Sequence, residues 1–311
     1  MPWYYILLII LLSLFVLITL MCLVCFILTF YIGKKKIYKE NEYDIPQGKD
    51  YLVHKDFLLK WMKESRSLPY NNMETTSFDG LKLYAKYYDC GSNVIEIMFH
   101  GYRGNSERDL CGGIRRAFAL NHNVLLVDQR ASSLSDGHVT TFGIKERKDC
   151  LTWAKLVSEK FGPDYKIILT GVSMGAATVI MASELDLPNN VIGILADSSY
   201  TSPKEIIQKV LKQIKFPTFI FYPIVKVGAK IFGGFDLEEA SPIEAIKNAK
   251  VPVILFHGTE DKMCPYQMSI ELNKANPNNT QLILIEKAGH CLGYLIESEL
   301  YLNSMRDFFN E

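Results

Sequence analysis

Residues 166–181 read KIILTGVSMGAATVIM, and the fold of the chain turns on them. Ile167, Ile168 and Leu169 make a short apolar run of the kind a fully buried parallel strand carries. Gly171-Val172-Ser173-Met174-Gly175 follows, and Ala176-Ala177-Thr178 reads as the first turn of a helix. In a strand, Gly-x-Ser-x-Gly, helix context the outer positions must lack bulk, because the two backbones pass close together there. The central side chain is then pushed out at the carboxyl edge of the sheet, where a ligand can reach it. A lone pentapeptide of this kind also arises by chance in glycine-rich turns, so its weight depends on partners elsewhere in the chain.

Acidic and basic side chains balance at 34 each among 311 residues, which leaves no electrostatic footprint for nucleic acid. Residues 2–33 carry no charged side chain, with Trp3, Tyr4 and Tyr5 at one end and Tyr31 at the other. About 30 apolar residues at roughly 1.5 Å each exceed a hydrocarbon core of roughly 30 Å, and the aromatic ends suit its two interfaces. A cleaved signal peptide would need a basic start, a shorter apolar core and a small-residue cleavage site. Residues 1–33 are therefore expected to be a retained transmembrane anchor of a single-pass protein. Lys34-Lys35-Lys36 follows directly, so the positive-inside rule points the remainder of the chain to the cytoplasm. Cys22 and Cys25 read as small hydrophobes in lipid. The other five, Cys90, Cys111, Cys150, Cys264 and Cys291, are odd in number and without framework spacing, which suggests reduced thiols.

Residues 34–72 read as a juxtamembrane tether with an amphipathic helix over 51–65, where Leu52, Phe57, Leu58, Trp61 and Met62 recur at helical spacing. That helix is expected to pack on the domain, with the membrane surface as the alternative. From residue 73 to 311 the pattern is that of one domain. Residues 75–78 and 81–85 alternate about Asp79-Gly80 as a hairpin, and apolar runs at 93–99, 124–127, 191–196, 251–256 and 281–285 predict strands. Helices are predicted over 144–161 and 295–309. Alternating strands and helices with continuous apolar strands argue an α/β fold, a mostly parallel sheet covered on both faces. Between about 200 and 248 the alternation breaks into a helical stretch and a run rich in Phe, Ile, Val and Tyr, which predicts a small helical cap. Ligands in such sheets bind beyond the carboxyl ends of the strands.

A serine hydroxyl is a poor nucleophile until a base accepts its proton, and the base needs an acid to fix its tautomer. The strand 251–256 runs into His257-Gly258-Thr259-Glu260-Asp261, and the strand 281–285 into Lys287-Ala288-Gly289-His290. Ser173, Asp261 and His290 thus follow the order serine, acid, histidine, each at a carboxyl-end loop. Glu260 and Asp197 compete with Asp261 for the acid's place. His257 reads as structural and His100 as a support for its own loop, while His54, His122 and His138 are expected at the surface. Cys264 and Cys291 sit on no such elbow and read as packing. No His-Glu-x-x-His, paired cysteine ligands or phosphate-binding loop occurs, so neither a metal nor a nucleotide cofactor is implied.

With these motifs, residues 73–311 resemble the α/β-hydrolase superfamily, most of all its membrane-anchored or secreted bacterial branch of serine aminopeptidase-like and acyl-esterase-like hydrolases. The resemblance implies Ser173 as nucleophile, Asp261 as acid and His290 as base. It also implies that His100-Gly101-Tyr102 is the oxyanion loop, with the Tyr102 and Met174 backbone N–H groups as donors. One stretch departs from the pattern: Asp128-Gln129-Arg130 leads into Ala131-Ser132-Ser133 where the family often has tight glycines, which leaves one pocket wall undefined. The expected reaction is cleavage of a carboxylic ester without a cofactor. The apolar cap, with Phe216, Phe219, Phe221, Tyr222 and Phe232, favours an acyl or lipid-like ester substrate. A peptidase, for which Glu238-Glu239 would have to bind the peptide amine, and a non-catalytic membrane-tethered scaffold are the alternatives.

Overall fold

The computed structural model describes residues 2–35, 37, 39, 41–46 and 48–310. Lys36 of the basic run, and Tyr38, Glu40 and Gln47 of the tether, lie outside the described residues. A hairpin of β1 (Asn71–Thr76) and β2 (Lys82–Tyr88) opens the sheet, as the alternation about Asp79-Gly80 predicts. It is followed by β3 (Val94–Phe99), β4 (Asn123–Asp128), β5 (Lys166–Val172), β6 (Val191–Asp197), β7 (Val253–Gly258) and β8 (Thr280–Ile285). The spatial order is β1-β2-β4-β3-β5-β6-β7-β8. β2 runs antiparallel to both neighbours, and the pairs from β4 through β8 are parallel. β3, β4 and β7 are buried along their whole length, which is why they read as largely apolar runs, interrupted in β3 only by Glu96.

The helices in chain order are α1 (Trp3–Thr29), α2 (Lys49–Leu52), α3 (Lys55–Ser67), α4 (Ser106–Ala119), α5 (Glu146–Phe161) and α6 (Met174–Ala182). Then come α7 (Pro203–Gln213), α8 (Thr218–Gly228), a π-helical turn (Ala229–Gly233), α9 (Pro242–Lys247), α10 (Gln267–Ala275), α11 (Gly293–Ile296) and α12 (Ser298–Phe309). α5 and α6 pack on one sheet face, where Trp153, Val179 and Ile180 meet Leu169 and Ile194. α12 and α4 cover the other, through Tyr301, Met305, Leu110 and Ile114. α7, α8, the π-helical turn and α9 lie between β6 and β7 in sequence, where the alternation breaks.

Three local readings differ from the sequence pattern. The helix expected over 51–65 is divided at Val53-His54 into α2 and α3, and α3 packs through Leu58 and Met62 against Cys111 of α4. α4 has no counterpart in the sequence reading. Its Gly112-Gly113 pair looks like a turn but is a packing device: a Cβ at 112 would fall 2.9 Å from the Trp61 ring, and one at 113 would fall 3.0 Å from Met98 Sδ. His122, expected at the surface, is 1% exposed, with Nδ1 2.9 Å from Glu96 Oε1. His138 is exposed and stacks on Tyr31.

α1 is long and apolar enough to cross a membrane. Its two ends behave differently. Residues up to Ile18 are exposed, whereas Cys22 and Phe26, with Phe30 just beyond, are buried against the inserted helices. Backbone meets backbone closely there, since a Cβ on Gly228 would lie 2.5 Å from the Cys22 carbonyl oxygen. Beyond Thr29 the chain pairs with the domain: Thr140 N–H donates to Phe30 O at 3.0 Å, and Ile32 N–H donates to His138 O at 2.7 Å.

Candidate active site

Ser173 stands between β5 and α6 with φ 55° and ψ −117°, a left-handed conformation that costs a residue with a Cβ of order 1–3 kcal/mol. The flanking glycines make the turn feasible. A Cβ on Gly171 would lie 2.1 Å from the Gly175 carbonyl oxygen, and one on Gly175 would lie 2.0 Å from that of Phe99. The elbow is pinned by the Ser173 N–H, which donates to Asp197 O at 2.8 Å. The Ser173 side chain is half-buried and faces a cavity of about 1020 Å³.

Asp261 follows β7, and His290 lies on the loop after β8. His290 Nδ1 is 2.6 Å from Asp261 Oδ2. The carboxylate is buried and accepts further bonds: the Met263 and Cys264 N–H groups both donate to Oδ1 at 2.8 Å, and His257 Nε2 lies 3.2 Å from Oδ2. Burial alone would raise this carboxyl. The bonds from His257 and His290 outweigh it and hold Asp261 well below the usual carboxylate range. Because Asp261 is ionised, the proton of His290 belongs on Nδ1, which leaves Nε2 as the acceptor. His290 and Ser173 line the same cavity.

The competing carboxylates are placed elsewhere. Glu260 is exposed, and its N–H donates to Ala288 O at 2.9 Å. Asp197 is buried and accepts from Ser198 Oγ at 2.9 Å and Tyr301 Oη at 3.0 Å, and burial pushes its carboxyl up. His257 is fully buried, within 2.6 Å of Ser269 Oγ and 2.8 Å of Cys264 O, a scaffold for the Asp261 loop. The Cys264 thiol is pushed up by burial and sits on no elbow.

His100 holds the loop that carries Gly101 and Tyr102. The Gln129 N–H donates to His100 Nε2 at 3.1 Å, so the ring proton is on Nδ1 and donates to Gly101 O at 2.9 Å. Burial keeps this imidazole neutral by pushing its pKa down. Gly101 N–H donates to Asp109 Oδ2 at 3.0 Å, a support that the sequence reading did not find. Among the described residues, the Tyr102 and Met174 N–H groups donate to no protein acceptor, so two donors remain free beside Ser173. Tyr51 of α2 was also missed, and its hydroxyl donates to His290 O at 3.0 Å. The helical spacing over 51–65 gives its first residue no signal for that.

The glycine-poor loop after β4 is resolved by left-handed backbone at Ala131 (φ 62°) and Ser133 (φ 42°). Ser135 replaces glycine flexibility with bonds, donating to Asp128 O at 2.5 Å and accepting from the Tyr84 N–H at 2.9 Å. This loop lines a second cavity of about 380 Å³ together with Lys34, Arg103 and Arg108. Glu238 and Glu239 are engaged by Lys226, Lys204, Arg147 and Lys148. Among the described residues no cluster of His, Cys, Asp and Glu could hold a metal ion.

Comparison with known proteins agrees with this architecture. The chain is 22% identical to the Pyrococcus furiosus esterase Pf2001, whose structure superposes with a TM-score of 0.67 over 91% of this chain and 98% of that one. It is 24% identical over 256 residues to the α/β-hydrolase domain-containing protein WAV2 of Arabidopsis thaliana, covering 79% of this chain and 80% of that protein. An uncharacterized Bacillus subtilis protein, YqkD, is 23% identical over 192 residues, 61% of this chain and 63% of the relative, so that match spans under two thirds of the relative's length. The model of the prolyl oligopeptidase family matches residues 139–311, a stretch that contains Ser173, Asp261 and His290. With more than half of its length matched and an α/β-hydrolase sheet around the serine elbow, the chain belongs to the prolyl oligopeptidase family of the α/β-hydrolases.

Proposed function

We propose that the protein is a membrane-anchored serine hydrolase that cleaves carboxylic esters with an acyl or otherwise lipophilic part. The observation that carries this reading is a left-handed Ser173 sharing one largely apolar cavity with a histidine bonded to an ionised aspartate. Ser173 Oγ attacks the ester carbonyl while His290 Nε2 takes its proton, and Asp261 stabilises the imidazolium through Nδ1–H. The Tyr102 and Met174 amides hold the oxyanion, each contributing about 3 kcal/mol to lowering the barrier. The imidazolium returns its proton to the leaving alcohol, and water activated by the same ring releases the acid from Ser173. No step calls for a cofactor.

Retention of α1 as an anchor is part of this proposal. Cleavage before residue 30 would strip Cys22 and Phe26 from the core and break the bond from Tyr102 Oη to Thr29 O at 2.6 Å. The family match favours one other reading, a peptidase. The ion-paired state of Glu238 and Glu239 weighs against it, since neither is free for a peptide amine. Turnover of p-nitrophenyl esters of rising chain length, measured beside aminoacyl amides, tests the choice. Ester turnover that vanishes in Ser173→Ala supports the proposal, amide turnover at higher kcat/KM favours the peptidase, and neither leaves a scaffold.

A further inference from the structure

We infer that the last turns of α1 form one wall of the acyl pocket, and that the acyl chain of a lipid ester enters it sideways from the leaflet surrounding those turns. This rests on the hydrolase reading above and deepens it by naming the substrate class and its route.

The cavity that reaches Ser173 and His290 is walled on one side by Leu20, Met21, Val24, Cys25 and Leu28 of α1. The inserted helices face them, through Ile207, Leu211 and Phe221 among others. Val24 and Leu28 line this cavity and are nevertheless 53% and 68% exposed. Its mouth therefore runs along α1 and opens to whatever surrounds that helix.

The length of α1 says what that is. The stretch from Trp3 to Thr19, before the docked turns, spans about 25 Å at roughly 1.5 Å per residue. That falls short of a hydrocarbon core of roughly 30 Å. The docked turns thus begin before the helix has left the leaflet, and with Val24 and Leu28 about 32 and 38 Å along α1 from Trp3 the mouth runs from the acyl chains out to the headgroup level. Arg103 marks the polar side, since its Nη2 donates to Leu28 O at 2.8 Å, and Lys34 stands just beyond. α8, packed on α1, and the turn before it carry an exposed apolar rim of their own, with Ile214, Phe216, Phe219 and Ile220. Such a rim beside an anchor suits insertion at the interface rather than contact with water.

A volume of about 1020 Å³ stands at the top of the range of roughly 300–1,000 Å³ typical of small-ligand pockets, room for a long acyl chain. The reaction balances with water alone: the acyl C–O bond to the alcohol breaks, the acyl group passes to Ser173 Oγ and then to water, and a fatty acid and an alcohol result. The chain moves from bilayer to cavity without crossing water.

The test uses the full chain reconstituted in phosphatidylcholine vesicles, with 4-methylumbelliferyl palmitate in the bilayer and the acetate in solution. Val24→Trp and Leu28→Trp, which fill the wall, should lower the palmitate-to-acetate ratio of kcat/KM at least about tenfold. Leu11→Trp, on the same helix away from the cavity, should leave it unchanged. Val24→Ala, which widens the wall, should move the chain-length optimum upward. Palmitate placed in separate vesicles should be hydrolysed at least about tenfold more slowly than palmitate sharing the enzyme's bilayer. Ratios and chain-length optimum unchanged in the wall variants, or equal rates in shared and separate vesicles, overturn the inference while leaving the hydrolase intact. A wild-type protein that cleaves neither ester and takes no fluorophosphonate on Ser173 sinks the hydrolase reading itself, and this inference with it.

Discussion

Asp261 is the most constrained side chain of the candidate site. Four donors from three parts of the chain converge on one buried carboxylate, and their net effect keeps it ionised. A depressed folded pKa adds stability that is complete above the unfolded value of about 3.9 and is lost as pH falls from there toward the folded value. Asp261→Asn should therefore lower the urea midpoint at pH 7, and the gap to the wild type should shrink below about pH 4. The same variant should lose on the order of 10⁴ in kcat, because Nδ1 no longer has an anion to fix its proton. A loss of stability that is the same at pH 7 and pH 3 would contradict the charge argument. At this scale much was legible. Ser173, Asp261 and His290 each follow an apolar strand, and the topology of parallel sheets brings such loops to one edge. The choice between the adjacent Glu260 and Asp261 was less so, since the path of the loop decides which side chain turns inward. His122 was misread because its partner, Glu96, lies 26 residues away on a neighbouring strand.

At the scale of elements, a buried charge cluster ties the sheet to α4. Glu96 on β3 is fully buried, paired with Arg116 of α4, and accepts from Thr170 Oγ1 on β5 at 2.8 Å. Burial would raise its carboxyl, but Arg116 and His122 pull it down. Arg116 also lies over the Tyr301 ring at 5.8 Å, and Tyr301 bonds to Asp197 beside the Ser173 elbow. Removing one partner leaves a charge buried and uncompensated, so Glu96→Ala should cost about 3–5 kcal/mol. Chemical unfolding checks this, and a loss within about 0.5 kcal/mol, as at an ordinary surface site, would contradict it. A glutamate inside an apolar strand was the available signal, and it asks for a cation that sequence alone does not locate. α4 escaped notice for a similar reason, because Gly112 is required by Trp61, a residue 51 positions away.

For the whole molecule, the N-terminal helix is long and apolar enough to cross a membrane and also packs on the domain, and its composition cannot separate the two. Leu, Ile and Phe suit lipid and protein core alike, so the sequence announces a span and hides the docking of its last turns. Phe30 is fully buried between Phe142 and Phe235, with ring centroids 5.7 and 5.2 Å away, whereas Phe15 is 68% exposed. Phe30→Ala should cost about 3–5 kcal/mol. That corresponds to a Tm lower by roughly 10 °C in detergent for a chain of this size, with Phe15→Ala close to the wild type. Equal shifts for both variants would mean that the helix and domain do not share a core. The same joining of α1, inserted helices and sheet puts Ser173 in a cavity walled in part by α1. The central claim is that Ser173 is the nucleophile of this cavity. Peptide mapping by mass spectrometry after fluorophosphonate treatment of the full chain tests it most directly. A single adduct on the peptide carrying Ser173, absent in Ser173→Ala and strongly slowed in His290→Ala, is the predicted result. No adduct on the wild type, or one that persists at another residue in Ser173→Ala, would contradict it.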